Sequence, residues 1–96
     1  MKAKFTHFSN PFHPGEILAE EFLEPLEMSQ KKLSDKLKWS PRKLNEIIKG
    51  KRSITAASAI DLAKVLKTTP EFWLGLQQTW DLAQAYKQKE QNSIAI

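Results

Sequence analysis

The twenty-five residues from Met28 to Arg52 constrain this chain more than any other part of it. They read as two short helices joined by a tight turn. Ser29 is placed to cap the first, whose Leu33 and Leu37 lie four apart on one face. Ser40 followed by Pro41 opens the second, because a proline at the first helical position gives up an N–H that has no partner there. Gly50 closes that helix as a left-handed C-cap. At about 100° per residue, Leu44, Ile47 and Ile48 fall on one side of it, and Arg42, Asn45, Glu46 and Lys49 on the other. A short helix with an apolar back and a polar front, set in a basic stretch, meets the requirement for reading a DNA groove. The pattern is that of a helix-turn-helix unit.

The charge is distributed unevenly. Lys31 to Arg52 holds nine lysines and arginines against Asp35 and Glu46, a net +7, although the whole chain carries only +4. Glu16 to Glu27 holds five glutamates and no Lys or Arg. An acidic element therefore precedes a basic one, which implies two surfaces with different partners unless both are ordinary solvated faces. Ninety-six residues make one domain with a modest core. The chain lacks cysteine, and with it any disulfide framework or thiolate metal site. No apolar run reaches the roughly 18 residues of a membrane span, and the first eight residues lack the apolar core of a secretory signal. A cytoplasmic protein is expected.

The remaining helices follow from start and stop signals. Residues 1–12 carry Phe5, Phe8 and Phe12 without a period and read as an arm. A first helix begins at Pro14, runs to Leu23 and is stopped or bent by Pro25. A fourth starts at Thr55 and continues to about Lys67; eight of its residues from 56 to 66 are apolar, which predicts the buried centre of a bundle. Thr69-Pro70-Glu71 opens a fifth helix through about Lys87, leaving residues 88–96 as a flexible tail in which Ile94-Ala95-Ile96 could add a strand to a partner. The domain proper is then 13–87, and the fold class is an all-α bundle of five helices.

The fifth helix holds more apolar surface than one core-facing stripe needs. Trp73, Leu76, Trp80 and Ala83 form one stripe at helical spacing, and Phe72, Leu76, Ala83 and Tyr86 an overlapping one. A surplus of aromatic surface marks an interface when the core cannot absorb it. The expectation is a homodimer through Trp73, Leu76, Trp80, Ala83 and Tyr86. Paired helix-turn-helix units place their recognition helices one duplex turn apart, about 34 Å.

The DNA chemistry divides between phosphates and bases. Gln30 and Lys31 open the second helix, where backbone N–H groups and the helix dipole favour a phosphate; Lys51 and Arg52 follow the third helix and track the backbone, with Lys43 on the flank. Arg42 can bridge guanine O6 and N7, Asn45 can pair with adenine N6 and N7, and Glu46 can accept from cytosine N4. The competing reading for Arg42 and Glu46 is a surface ion pair four residues apart.

These blocks resemble a known family. His13-Pro14-Gly15-Glu16-Ile17-Leu18, Glu21-Phe22-Leu23-Glu24-Pro25-Leu26, Ser29-Gln30, Leu44-Asn45-Glu46-Ile47, Gly50-Lys51-Arg52, Ile54-Thr55 and Pro70 to Gln77 match the HigA-type antitoxins, a branch of the lambda-repressor-like helix-turn-helix proteins. The resemblance runs from His13 to about Tyr86. It implies a type II toxin–antitoxin module, in which the antitoxin neutralises a RelE-like, mRNA-cleaving toxin and represses its own operon as a dimer. It implies Gln30, Ser40, Arg42, Lys43, Asn45 and Lys51 as DNA-facing positions. Three residues depart from the pattern: Lys38 stands where the turn usually has glycine, Ser34 where a small apolar residue packs, and Trp39 where the apolar residue is smaller.

RelE-like toxins engage ribosomal RNA and are basic, so an acidic surface suits them. Glu16, Glu20, Glu21 and Glu24 on the first helix are the expected toxin-facing residues. An enzyme is not expected, nor any cofactor: the only histidines are His7 and His13, and no glycine-rich phosphate loop is present. His7 and His13 make a poor metal pair without further ligands. The alternatives are a stand-alone repressor without a toxin and a protein-binding module that has lost DNA affinity.

Overall fold

The computed structural model describes residues 11–94, with side chains described through residue 91. Helix α1 (Pro14–Ile17) runs on without a break as a π-helical stretch (Leu18–Leu23) and is followed by α2 (Gln30–Leu37), α3 (Pro41–Ile48), α4 (Ala56–Leu66) and α5 (Pro70–Ile94). Counting the first two segments as one helix, the described residues form five helices and no strand. The arm up to residue 10, with His7, and the terminal Ala95-Ile96 lie outside the described residues.

The predicted caps are in place. The hydroxyls of Ser29, Ser40 and Thr55 accept from the N–H groups of Lys32, Lys43 and Ser58, three residues on. The first helix differs. Its cap is an imidazole: His13 Nδ1 accepts from Gly15 N–H at 2.9 Å. From Leu18 it widens into a π turn, with Glu24 N–H reaching five residues back to Ala19 O at 3.0 Å. Pro25 accounts for this departure from the expected α-helix, since its ring donates no N–H and crowds the carbonyl four residues earlier.

Leu18, Leu33, Leu44, Ile47, Leu62 and Trp73 are wholly buried and form one core. Gly15 makes the α1–α3 contact possible: a Cβ there would overlap the Ile47 carbonyl oxygen and crowd the Ile48 Cα. Helix α4 is not the fully buried centre that its composition predicted. Ser58, Ala59, Leu62 and Ala63 face inward, while Ala56, Ala57 and Ile60 are exposed, Ile60 by 52%. Alanine covers so little apolar area that an alanine-rich outer face costs little in water.

Helix α5 departs from expectation in two ways. It continues to Ile94, through most of the stretch read as a tail. Part of its apolar surplus is spent inside the chain. Trp73 is fully buried, its indole N–H on Thr68 Oγ1 at 2.7 Å and its ring 5.1 Å from Phe22, and Ala83 is buried too. Neither has surface to offer a partner, so both drop out of the expected dimer contact. A domain of this size fills its core with whatever large side chains it has. The large apolar surface left on α5 includes Phe72, Leu82 and Tyr86, exposed by 38%, 45% and 56%, with Leu76 and Trp80 half-buried.

Candidate nucleic-acid interface

The turn between α2 and α3 forms despite lacking glycine. Lys38 adopts the left-handed conformation, φ 60° and ψ 35°, and its N–H bonds Asp35 O. Ser34, buried at the crossing of the two helices, turns its hydroxyl back to Lys31 O at 2.9 Å and so buries no unpaired donor. Trp39 lays its ring beside the turn and donates its indole N–H to Asp61 Oδ2 on α4 at 2.8 Å. Lys43 Nζ sits 4.2 Å from the centre of that ring. The bulkier residue therefore fastens the unit to α4.

Leu44 and Ile47 bury the back of α3 completely, and its front is open. Asn45 Nδ2 donates to Gln30 Oε1 at 3.2 Å, joining the start of α2 to the middle of α3. Arg42, with its side chain 86% exposed, donates from Nε to Glu46 Oε2 at 3.0 Å. Arg52 donates to the other oxygen, Oε1, from Nε at 3.0 Å and forms an ion pair with it through Nη2, 2.8 Å away. These bonds hold the Glu46 carboxyl below the usual glutamate range, Arg42 contributing most and Arg52 next. Lys31 leans back to Asp35 at 3.3 Å, and Ser40 spends its hydroxyl on the helix cap. Lys49 and Lys51 are exposed at the C-terminal end of α3, where Gly50 takes φ +76°. Gln30, Asn45, Arg42, Glu46 and Arg52 are thus linked in two small networks on one face.

Sequence reasoning missed the residues that hold this face from behind. Gln77 of α5 is buried; its Oε1 accepts from Ile54 N–H at 2.7 Å, and its Nε2 donates to Asp81 at 3.0 Å. It ties down the loop that carries Lys51 and Arg52. His13, read as a weak metal ligand, caps α1, meets the Trp80 ring edge-on at 5.3 Å and lies 3.7 Å from where a Cβ on Gly50 would stand. Burial pushes its imidazole below the ordinary histidine range, against the opposing pull of Asp81. The Gln77 bond to Ile54 and the His13 contacts with Trp80 and Gly50 have no local sequence signature, because those partners lie many residues away. The acidic residues Glu16, Glu20, Glu21 and Glu24 are all exposed on the first helix. Among the described residues no three His, Asp or Glu side chains gather to hold a metal, and no helix is long and apolar enough to cross a membrane.

The helix-turn-helix family model matches residues 20–73, from the π-helical stretch to the start of α5. Antitoxin HigA-1 of Vibrio cholerae is 37% identical over 82 residues, covering 82% of this chain and 77% of its own. Among solved structures, the antitoxin HigA of Pseudomonas aeruginosa, determined with the higBA promoter, superposes with a TM-score of 0.81 at 39% identity over 85% of this chain and 89% of that one. An addiction-module antidote protein of the HigA family from Coxiella burnetii gives 0.79 at 45% identity, over 85% and 89%. The chain belongs to the helix-turn-helix family, in its branch of HigA-type antitoxins.

Proposed function

We propose that this protein is an antitoxin that represses its own operon by binding operator DNA as a homodimer and neutralises a RelE-like toxin by direct contact. The observation that carries the DNA reading is the front of α3: Arg42 and Asn45 stand outward on a helix whose Leu44 and Ile47 are fully buried. Arg42 and Asn45 are the base readers, and Gln30, Lys31, Ser40, Lys43, Lys49, Lys51 and Arg52 serve the phosphates. The Pseudomonas relative, solved with the higBA promoter, supports the DNA reading. Leu76, Trp80, Leu82 and Tyr86 of α5 supply the dimer contact in this reading. Glu16, Glu20, Glu21 and Glu24 meet the basic toxin on a helix other than the one that reads DNA.

A salt-dependent gel shift on the DNA upstream of its own gene tests the repressor half. Binding that weakens with salt and is lost in the Arg42→Ala, Asn45→Ala double variant supports it; no binding at low salt rejects it. Co-purification with the product of the neighbouring reading frame tests the toxin half. A basic partner released by changing Glu20, Glu21 and Glu24 to lysine supports it, and a chain that purifies alone points to a stand-alone repressor.

A further inference from the structure

Glu46 lies at the centre of the basic face and carries a charge that DNA should repel. Its position is explained by what it holds. Arg42 reaches it from the first turn of α3 and Arg52 from the loop beyond the helix, one on each carboxylate oxygen. Oε1 accepts from Nε of Arg52, with Nη2 of the same guanidinium 2.8 Å away, and Oε2 accepts from Nε of Arg42. Both carboxylate oxygens are therefore engaged by arginine within the chain. The Glu46 side chain is only 26% exposed, against 86% for Arg42. To accept from a cytosine amino group as a direct reader would, Glu46 would have to share an oxygen already engaged by an arginine.

We propose that Glu46 is a positioning residue of the DNA face, a clasp that holds Arg42 of α3 and Arg52 of the following loop at a fixed spacing and acts through them without contacting a base. This rests on the reading of α3 as the DNA-binding helix. Two effects follow. Arginines already held in place lose less side-chain freedom on binding, so the correct operator gains. The negative charge also subtracts from the sequence-independent attraction to any duplex. A clasp therefore raises specific binding and lowers non-specific binding together, and unlike a base reader it does so without selecting the base at any one position.

The test uses the full chain, a labelled duplex of the DNA upstream of its gene, and a scrambled duplex of the same composition. Fluorescence anisotropy is read over a salt series for wild type, E46Q, R42A, R52A and the doubles E46Q/R42A and E46Q/R52A. Thermal unfolding checks that each variant is folded. We expect E46Q to bind the upstream duplex about tenfold more weakly, as for one coupled charged contact, while the scrambled duplex binds equally or better. The salt slope should steepen by about one, for the removed negative charge. In either arginine-deleted background E46Q should cost much less, because part of its work is already gone. Swapping operator base pairs one by one should show no position where E46Q alone loses discrimination. Loss of preference at a single base pair would make Glu46 a reader, and full additivity with both arginine variants would make it independent; either result overturns the clasp. Absence of wild-type binding to the upstream duplex at low salt overturns the DNA reading itself, a separate outcome visible before any variant is made.

Discussion

Gly15 lies against the carbonyl of Ile47, so the start of the acidic helix rests directly on the end of α3. The contact is between backbones and cannot be eased by turning a side chain. Gly15→Ala should therefore cost about 3 kcal/mol, the upper range for overpacking, because one of two helices must move. Urea denaturation followed by circular dichroism measures this, and a loss under about 1 kcal/mol would mean that α1 can slide without penalty.

Lys38→Gly should do the opposite. A side chain in the left-handed region costs about 1–2 kcal/mol, of which glycine's greater freedom in the unfolded chain returns part. A net gain of about 1 kcal/mol corresponds to a rise of roughly 4–8 °C in Tm for a domain of this size. Unchanged or lowered Tm in a calorimetric scan would show that the lysine stem contributes packing that offsets the strain.

The pH dependence follows from His13. Its folded pKa lies below the ordinary value of 6.5, so between the two the unfolded chain binds the proton that the folded chain excludes. Stability is complete above about 6.5 and declines as pH falls through the folded value. A protonated ring would also aim a donor at Gly15 N–H and lose the cap. The Tm should drop between pH 7.5 and 5.5, and His13→Asn, which keeps a capping oxygen, should flatten the drop. An equally steep drop in that variant would assign the effect elsewhere.

The helices were legible where the signal is local. Ser29, Ser40 and Thr69 cap as the sequence predicts, and Gly50 ends α3 with positive φ. The opposed faces of α3 were equally legible, since Leu44 and Ile47 are buried while Arg42 is exposed. What could not be read depends on partners far along the chain. Trp39 finds Asp61 and Gln77 finds the N–H of Ile54, contacts that no periodicity announces. Trp73 shows the same limit in reverse: its stripe fitted a dimer contact, but only the fold reveals that Phe22 closes over it.

Gln77→Ala should leave the buried N–H of Ile54 without a partner and cost about 2 kcal/mol. It should also loosen the loop carrying Arg52, so the Ile54 amide should exchange with solvent faster than the α4 core. Exchange at the wild-type rate would mean that another acceptor replaces the glutamine.

Leu82→Arg combined with Tyr86→Ala should separate protomers and leave each one folded, because both residues are exposed on α5. Trp73→Ala should instead unfold the chain, at a cost of about 3–5 kcal/mol. Sedimentation velocity beside circular dichroism distinguishes the two, and a fully dimeric double variant would move the interface off this face.

Three residues share the trait described for the turn: Glu27 in the turn after the first helix and the helix ends Lys38 and Lys67 all take positive φ where glycine would do so freely. At about 1 kcal/mol net each, they together raise the share of molecules unfolded at any instant by roughly a hundredfold. Proteases act on that share. How long a copy of this protein survives in a cell is thus set partly at three codons that touch neither the groove-facing side of α3 nor the core, and it can be retuned there without altering which DNA is read.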